Sequence, residues 1–419
     1  MGKIKNINAR EILNSQGWPT IEVEVFLDDN TSALASVPTG NSLGSYEANE
    51  IGDGDFKRYN GRGVLQAVSK INEIIKPRLI GLEIREQEKI DQTLIELDGL
   101  SEKKNLGTNI MIGVSLACAR AGAISAKQDI FVYLKEIFSL DNEASLPVPL
   151  FNVFSGGQYA DTNLDFQEFL LIPKKSSVSK MIETGASVFH ELGNVLKEAG
   201  YDTDTGLEGG YAPDLDSSIE AIEFILAAAL RSNLKPGSDI FLGIDVGSTL
   251  LYEEASGHYV FPLDNNHFTS ANLIGLYNEW LSKYPLIYLE DALSEDDWSN
   301  WRDLTAELGE KLIIAGDDLF ATRTERLRRG LQEKAANAII IKPNQAGTLS
   351  ETINCIKVAK RHGLKVIISH RSAETNDDFI VDLSVAVGAD YLKAGSITRG
   401  ERIAKYNRLL KIASFLEDK

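Results

Sequence analysis

Cysteine is nearly absent from this chain: two residues in 419, Cys118 and Cys355. They form no CxxC pair and cannot build a disulfide framework, which excludes a disulfide-stapled scaffold and points to a reducing compartment. A basic surplus is missing as well. Lys and Arg total 43 against 61 Asp and Glu, a net charge of −18. Nothing is left over to neutralise nucleic-acid phosphates or an anionic bilayer. No uninterrupted apolar run approaches the ~18 residues of a membrane span. The opening Met-Gly-Lys-Ile-Lys-Asn has no apolar leader core. There is no short-period repeat and no low-complexity tract. These absences predict a cytoplasmic location, with neither a nucleic-acid partner nor membrane insertion.

What is present is ordinary for a globular protein: 43% hydrophobic and 25% charged residues. The length allows two or three domains and a large core. Residues 1–138 read as an α+β domain. Ile21, Val23, Val25 and Leu27 alternate with Glu22, Glu24 and Phe26, the period of a half-buried strand. Asp28-Asp29-Asn30 is a turn, and 32–37 returns as a second strand. A Gly-rich loop follows at Pro38-Thr-Gly-Asn-Ser-Leu-Gly44, then helical stretches near 62–83, 86–97 and 108–127. Two prolines and several polar residues break the pattern at 139–149. Residues 139–419 then alternate apolar runs with helical segments near 178–199, 216–232, 269–284, 324–334, 348–362 and 400–417. The expected class is α/β: a β/α barrel behind a smaller N-terminal domain.

Seven short runs in this second part lead into one polar residue each. Phe166-Gln167 leads into Glu168, Phe241–Ile244 into Asp245 and Leu286–Leu289 into Glu290. Ile313–Gly316 leads into Asp317, Ile339–Ile341 into Lys342, Val366–Ser369 into His370, and Tyr391-Leu392 into Lys393. From Asp245 onward these residues recur every 23 to 45 positions, one or two strand–helix units. Buried parallel strands are continuous apolar runs, and in a β/α barrel their C-terminal ends converge on the catalytic face.

Asp245, Glu290 and Asp317 are three hard oxygen donors, a set that suits Mg²⁺ better than Zn²⁺. Lys342 and Lys393 would enter the same cavity. A second ammonium and a nearby cation lower a lysine pKa, so one of them can serve as a base. His370-Arg371-Ser372 offers a guanidinium fork and a hydroxyl for phosphate or carboxylate. Glu208 lies in the glycine-rich Gly206–Pro213 loop, with Glu168 expected beside it. Two adjacent carboxyls raise one pKa and leave an acid protonated near neutral pH. Base, cation and acid together suit proton abstraction next to a carboxylate, followed by loss of a β-leaving group.

The chain resembles the enolase family from end to end. The resemblance is carried by Ala9-Arg-Glu-Ile-Leu-Asn-Ser15, Leu289-Glu-Asp291, Asp296-Asp-Trp298 and Gly316-Asp-Asp-Leu319. It continues in Lys342-Pro-Asn-Gln-Ala-Gly347, Ser369-His-Arg-Ser372 and Glu401-Arg-Ile-Ala-Lys-Tyr-Asn407. The pairing of a base with Mg²⁺ is a general trait of enolase-superfamily sites. The resemblance implies glycolytic interconversion of 2-phosphoglycerate with phosphoenolpyruvate and water. It implies Asp245, Glu290 and Asp317 as ligands of a first Mg²⁺, and Thr39 as a hydroxyl for a second, substrate-dependent one. Lys342 would be the base and Glu208 the acid. Tyr159, Gln167, Glu168, His370, Arg371, Ser372 and Lys393 would contact a small phosphorylated carboxylate. The resemblance also implies a homodimer or higher homo-oligomer.

Four departures stand out. The family loop Ser-Gly-Ala-Ser-Thr-Gly is Thr39-Gly-Asn-Ser-Leu-Gly44 here, and Gly-Gly-Ser-His-Ala is Gly156-Gly-Gln-Tyr-Ala160. Asp-Glu-Gly-Gly-Phe becomes Leu207-Glu-Gly-Gly-Tyr211, and the Gly of His-Arg-Ser-Gly becomes Ala373. A phenol cannot carry the charge of an imidazolium. These changes predict a slower hydratase, or a paralogue for another phosphorylated or phosphonate carboxylate, like carboxyphosphonoenolpyruvate synthase.

Overall fold

The computed structural model describes residues 2–40 and 44–417. Strands β1 (Ile4–Leu13), β2 (Pro19–Leu27) and β3 (Ser32–Ser36) form an antiparallel sheet in that order. The period-two reading of β2 holds: Ile21, Val23, Val25 and Leu27 are all buried. They pack under the helix Thr108–Ser125. By length and composition that helix could cross a membrane, but 83% of it is buried inside the fold, as befits a core helix. Cys118 on this helix and Cys355 on Leu349–Arg361 are free, buried thiols.

No regular element falls between the helix Ile130–Ile137 and the first barrel strand. Eight strands then close the barrel: β4 (Val148–Ser155), β5 (Glu168–Pro173), β6 (Ile240–Asp245), β7 (Leu286–Glu290), β8 (Ile313–Gly316), β9 (Ala338–Ile341), β10 (Lys365–Ser369) and β11 (Tyr391–Lys393). The ring runs β7-β8-β9-β10-β11-β4-β5-β6. Most of it is parallel, but β5 runs antiparallel to both β4 and β6.

That reversal corrects one expectation. Phe166 and Gln167 are not the end of a strand; Glu168 is the first residue of β5. Because β5 is inverted, its N-terminal end faces the same mouth as the C-terminal ends of its neighbours. Glu168 therefore pairs in register with Asp245, which pairs in register with Glu290. Three carboxylates stand side by side on adjacent strands. β4 itself, buried along its whole length, was hidden in sequence by Pro149 and the boundary signals around it.

Candidate active site

Lys393, at the end of β11, reaches across the mouth to this row. Its Nζ lies 2.6 Å from Glu168 Oε2, 2.8 Å from Asp245 Oδ2 and 2.8 Å from Glu290 Oε1. Tyr288 donates to the other Glu290 oxygen at 2.6 Å. Burial raises Asp245 to about 6 and Glu290 to about 8, although Lys393 pulls both down. Burial alone would favour neutral Lys393, but the surrounding carboxylates hold its pKa well above the ordinary value.

Lys342, just past β9, is paired with Asp317 Oδ2. Burial opposes both charges, yet Asp317 stays below the usual carboxylate range because of Lys342. Lys342 in turn is raised by Asp317. Carboxylates, not ammonium groups, are the nearest charged neighbours of both lysines, and they raise both pKa values.

Two groups of ligand atoms lie within 4.8 Å of one another among the described residues: Glu168 with Glu208 and His370, and Asp291 with Asp317 and Asp318. The expected trio Asp245, Glu290 and Asp317 is not drawn so tightly. Its carboxylates are arranged around Lys393 and Lys342 instead. Its chemistry still fits a divalent cation, because Asp317 Oδ1 is buried without a hydrogen-bond partner. A hard ion satisfies such an oxygen. Asp291, absent from the sequence reading as a site residue, accepts from the backbone N–H of Asp317 at 2.9 Å and of Asp318 at 3.0 Å. It fixes the turn that aims Asp317.

Across the mouth, Glu208 meets His370: Oε2 lies 3.3 Å from Nε2. Asn152 on β4 joins the two glutamates, donating to Glu168 Oε1 at 2.7 Å and approaching Glu208 Oε2 at 3.5 Å. No motif pointed to Asn152. Glu168 is the carboxyl whose pKa rises, to about 7, from burial with Glu208 adding to it against Lys393. Glu168 and Glu208 do lie side by side, as the sequence suggests. Tyr159 is buried, and its phenol is pushed well above its ordinary value by burial and by Glu208 and Asp245. The Leu207 N–H donates to the Tyr159 carbonyl at 2.7 Å, so two of the departures from the family pattern are physically joined. Gln167 is buried beside them, and a side chain at Gly247 would collide with it.

Arg371 is engaged from the N-terminal domain. Its Nη2 donates to both Glu47 oxygens at 3.0 and 2.8 Å, and its Nη1 donates to Asn344 at 2.9 Å. The fork read as a phosphate clamp holds a carboxylate here, and Glu47 was not singled out in sequence. His370 turns away from Arg371 toward Glu208, so the His-Arg-Ser run serves two walls of the mouth. Thr39 forms backbone hydrogen bonds with Ala373 in both directions, at 2.9 and 3.0 Å. A Cβ at Gly40 would sit 1.8 Å from Arg371 Nη2, so any side chain there would displace the guanidinium from Glu47 and Asn344. Asn41, Ser42 and Leu43 of that loop lie outside the described residues. Ser372 is buried next to Arg371.

A family model for the enolase N-terminal domain matches residues 4–134, and one for the enolase C-terminal TIM barrel domain matches residues 143–419. The chain belongs to the enolase family. The two matches span nearly the whole sequence and agree with a closed barrel behind a small sheet domain. Membership supports a lyase of this family, and the acidic groups at the mouth are able to hold a metal ion.

Proposed function

We propose that this enolase-family protein is a Mg²⁺-dependent phosphopyruvate hydratase, interconverting 2-phosphoglycerate with phosphoenolpyruvate and water. The observation that carries the reading is the placement of Lys342 and Glu208. They belong to different walls of one buried mouth, with Asp245, Glu290 and Asp317 at the same strand ends.

Lys342 takes the C2 proton, and the C–H electron pair moves into the substrate carboxylate. Lys342 must first lose to solvent the proton that Asp317 now stabilises. Mg²⁺ held by Asp245, Glu290 and Asp317 would supply positive charge to the enolate-like dianion and to Asp317. Collapse of the dianion then breaks the C3–O bond, and Glu208 gives the departing hydroxide a proton. Glu168, with its raised pKa and its contact with the Glu208 carboxyl, keeps that proton available near neutral pH. Arg371 receives the phosphate by exchanging Glu47 for it.

A second reading is favoured by Tyr159 and Leu207: a paralogue acting on another phosphorylated or phosphonate carboxylate. Both residues lie on the leaving-group wall, and neither supplies a charge. A steady-state assay of enol absorbance with 2-phosphoglycerate and Mg²⁺ separates the two. Turnover supports the hydratase. No turnover, with Mg²⁺ bound by calorimetry, rejects it in favour of the second reading.

A further inference from the structure

Arg402 is fully buried in the first turn of the helix Gly400–Glu417. It reaches under the leaving-group wall and ties the 370–372 segment to the Leu207 loop. Its Nη1 contacts His370 Nδ1 and donates to the Arg371 carbonyl at 2.7 Å. Its Nη2 donates to the Ser372 carbonyl at 2.7 Å and lies 3.4 Å from the Leu207 carbonyl. Gly395 makes the room: with φ of +80°, a Cβ there would lie 2.7 Å from Arg402 Cδ and 3.1 Å from the Glu208 carbonyl.

A guanidinium has only donors and keeps its proton throughout the pH range of proteins. The His370 nitrogen facing it must therefore accept. Neutral imidazole has one bare nitrogen and one N–H, so a bare Nδ1 places the proton on Nε2. Nε2 is the atom facing Glu208. An imidazolium would set an N–H against the Arg402 N–H groups. Burial and Arg402 both hold the His370 pKa well below the ordinary value.

We infer that Arg402 is a positioning residue that locks His370 in its Nε2–H tautomer, so that His370 donates to Oε2 of the Glu208 carboxyl and leaves Oε1 to carry the acid proton toward the reacting centre. The tautomer follows from geometry alone; its catalytic consequence rests on the proposed role of Glu208. Nothing in the family match assigns Arg402 a role.

The test is nitrogen NMR of the full chain with ¹⁵N-labelled histidine, the His370 signals being assigned by their loss in His370→Gln. At pH 7 the wild type should show a bare Nδ1 and a protonated Nε2. Arg402→Lys, which keeps a donor-only cation, should preserve this pattern. Arg402→Met should shift His370 toward a mixture of tautomers. Dehydration of 2-phosphoglycerate should then fall by up to about 10²-fold while C2 proton exchange persists, since a helper costs no more than the acid it serves. A wild-type spectrum showing Nδ1–H or imidazolium overturns the inference, whether or not the Met variant folds. So does a folded Met variant with an unchanged tautomer. A wild-type Nε2–H tautomer without turnover would leave the inference standing and remove the hydratase reading instead.

Discussion

On one wall of the mouth, Lys342 meets Asp317 while Lys393 meets Glu168, Asp245 and Glu290. On the other, a neutral His370, the buried Tyr159 phenol and the Asn152 amide surround Glu208. Glu168 stands at the seam, 2.6 Å from Lys393 yet raised to about 7 by burial. The first wall sets its cations among carboxylates, and the second gathers groups that carry no positive charge. The first is built from strand ends, whose register is fixed by the barrel ladder. The second depends on loops at 156–160 and 206–211. Tyr159 and Leu207, two of the departures from the family pattern, sit on those loops. A strand-end residue cannot move without shifting a ladder, whereas a loop residue can change with little effect on the barrel.

The largest effects should separate the walls by the bond each one acts on. Lys342→Ala should abolish exchange of the C2 proton with solvent, a loss of about 10²- to 10⁴-fold or more. Glu208→Gln should stop dehydration yet leave exchange detectable. Both are read by deuterium incorporation into 2-phosphoglycerate alongside enol absorbance. Normal exchange in Lys342→Ala would move the base elsewhere and dissolve the division between walls.

Asp317→Asn strikes the paired wall at its lowest-pKa carboxylate. It removes the orphaned oxygen that suits a cation and releases Lys342 from its partner. Activity should drop by orders of magnitude, with partial recovery at high Mg²⁺. Full wild-type activity in excess chelator would refute the cation assignment.

A smaller effect, and a gain, is expected from the loop wall. Tyr159→His with Leu207→Asp restores the family residues at two positions joined by a 2.7 Å backbone hydrogen bond. Contacting sites are often non-additive, so the pair is made together. The gain in kcat should stay below the ~10²-fold minimum of a full acid–base group. No change would show that this wall tolerates the substitutions without catalytic cost.

The same contrast explains what was legible in the chain. Asp245, Glu290, Asp317, Lys342, His370 and Lys393 could be read because each ends a continuous apolar run, the signature of a buried parallel strand. Glu168 was found by the same rule for the wrong reason, since an antiparallel strand brings its first residue to the mouth. Asn152 and Glu47 act through contacts between distant segments, and no local pattern announces them; Asp291 and Arg402 lie in motifs that carry the resemblance, but their contacts too join distant segments. The helix Phe379–Val387 was missed because every residue in it is buried, which erases the 3.6-residue period. Trp298–Leu308 does carry a stripe, with Trp298, Trp301, Leu304 and Leu308 buried, although its first residue also closes the Asp296-Asp-Trp298 motif.

The smallest effects should appear in stability, with opposite pH dependence for Glu168 and Asp317. Glu168 is raised from 4.5 to about 7 in the fold, so the folded state binds its proton more tightly than the unfolded chain does. Its contribution is fully present below about pH 4.5 and is lost as pH rises through about 7, a range worth on the order of 3 kcal/mol at most. Asp317 is lowered, so its contribution is present above its ordinary value of 3.8 and is lost as pH falls below it. Denaturant midpoints from pH 3 to 8 would measure both. Glu168→Gln should make the decline between about pH 4.5 and 7 shallower, the remainder coming from Asp245 and Glu290, raised to about 6 and about 8, while leaving the acid limb intact. Asp317→Asn should flatten the acid limb and leave the neutral range unchanged. If both variants alter the same limb, the two carboxyls titrate as one network, and assigning them separate limbs is wrong.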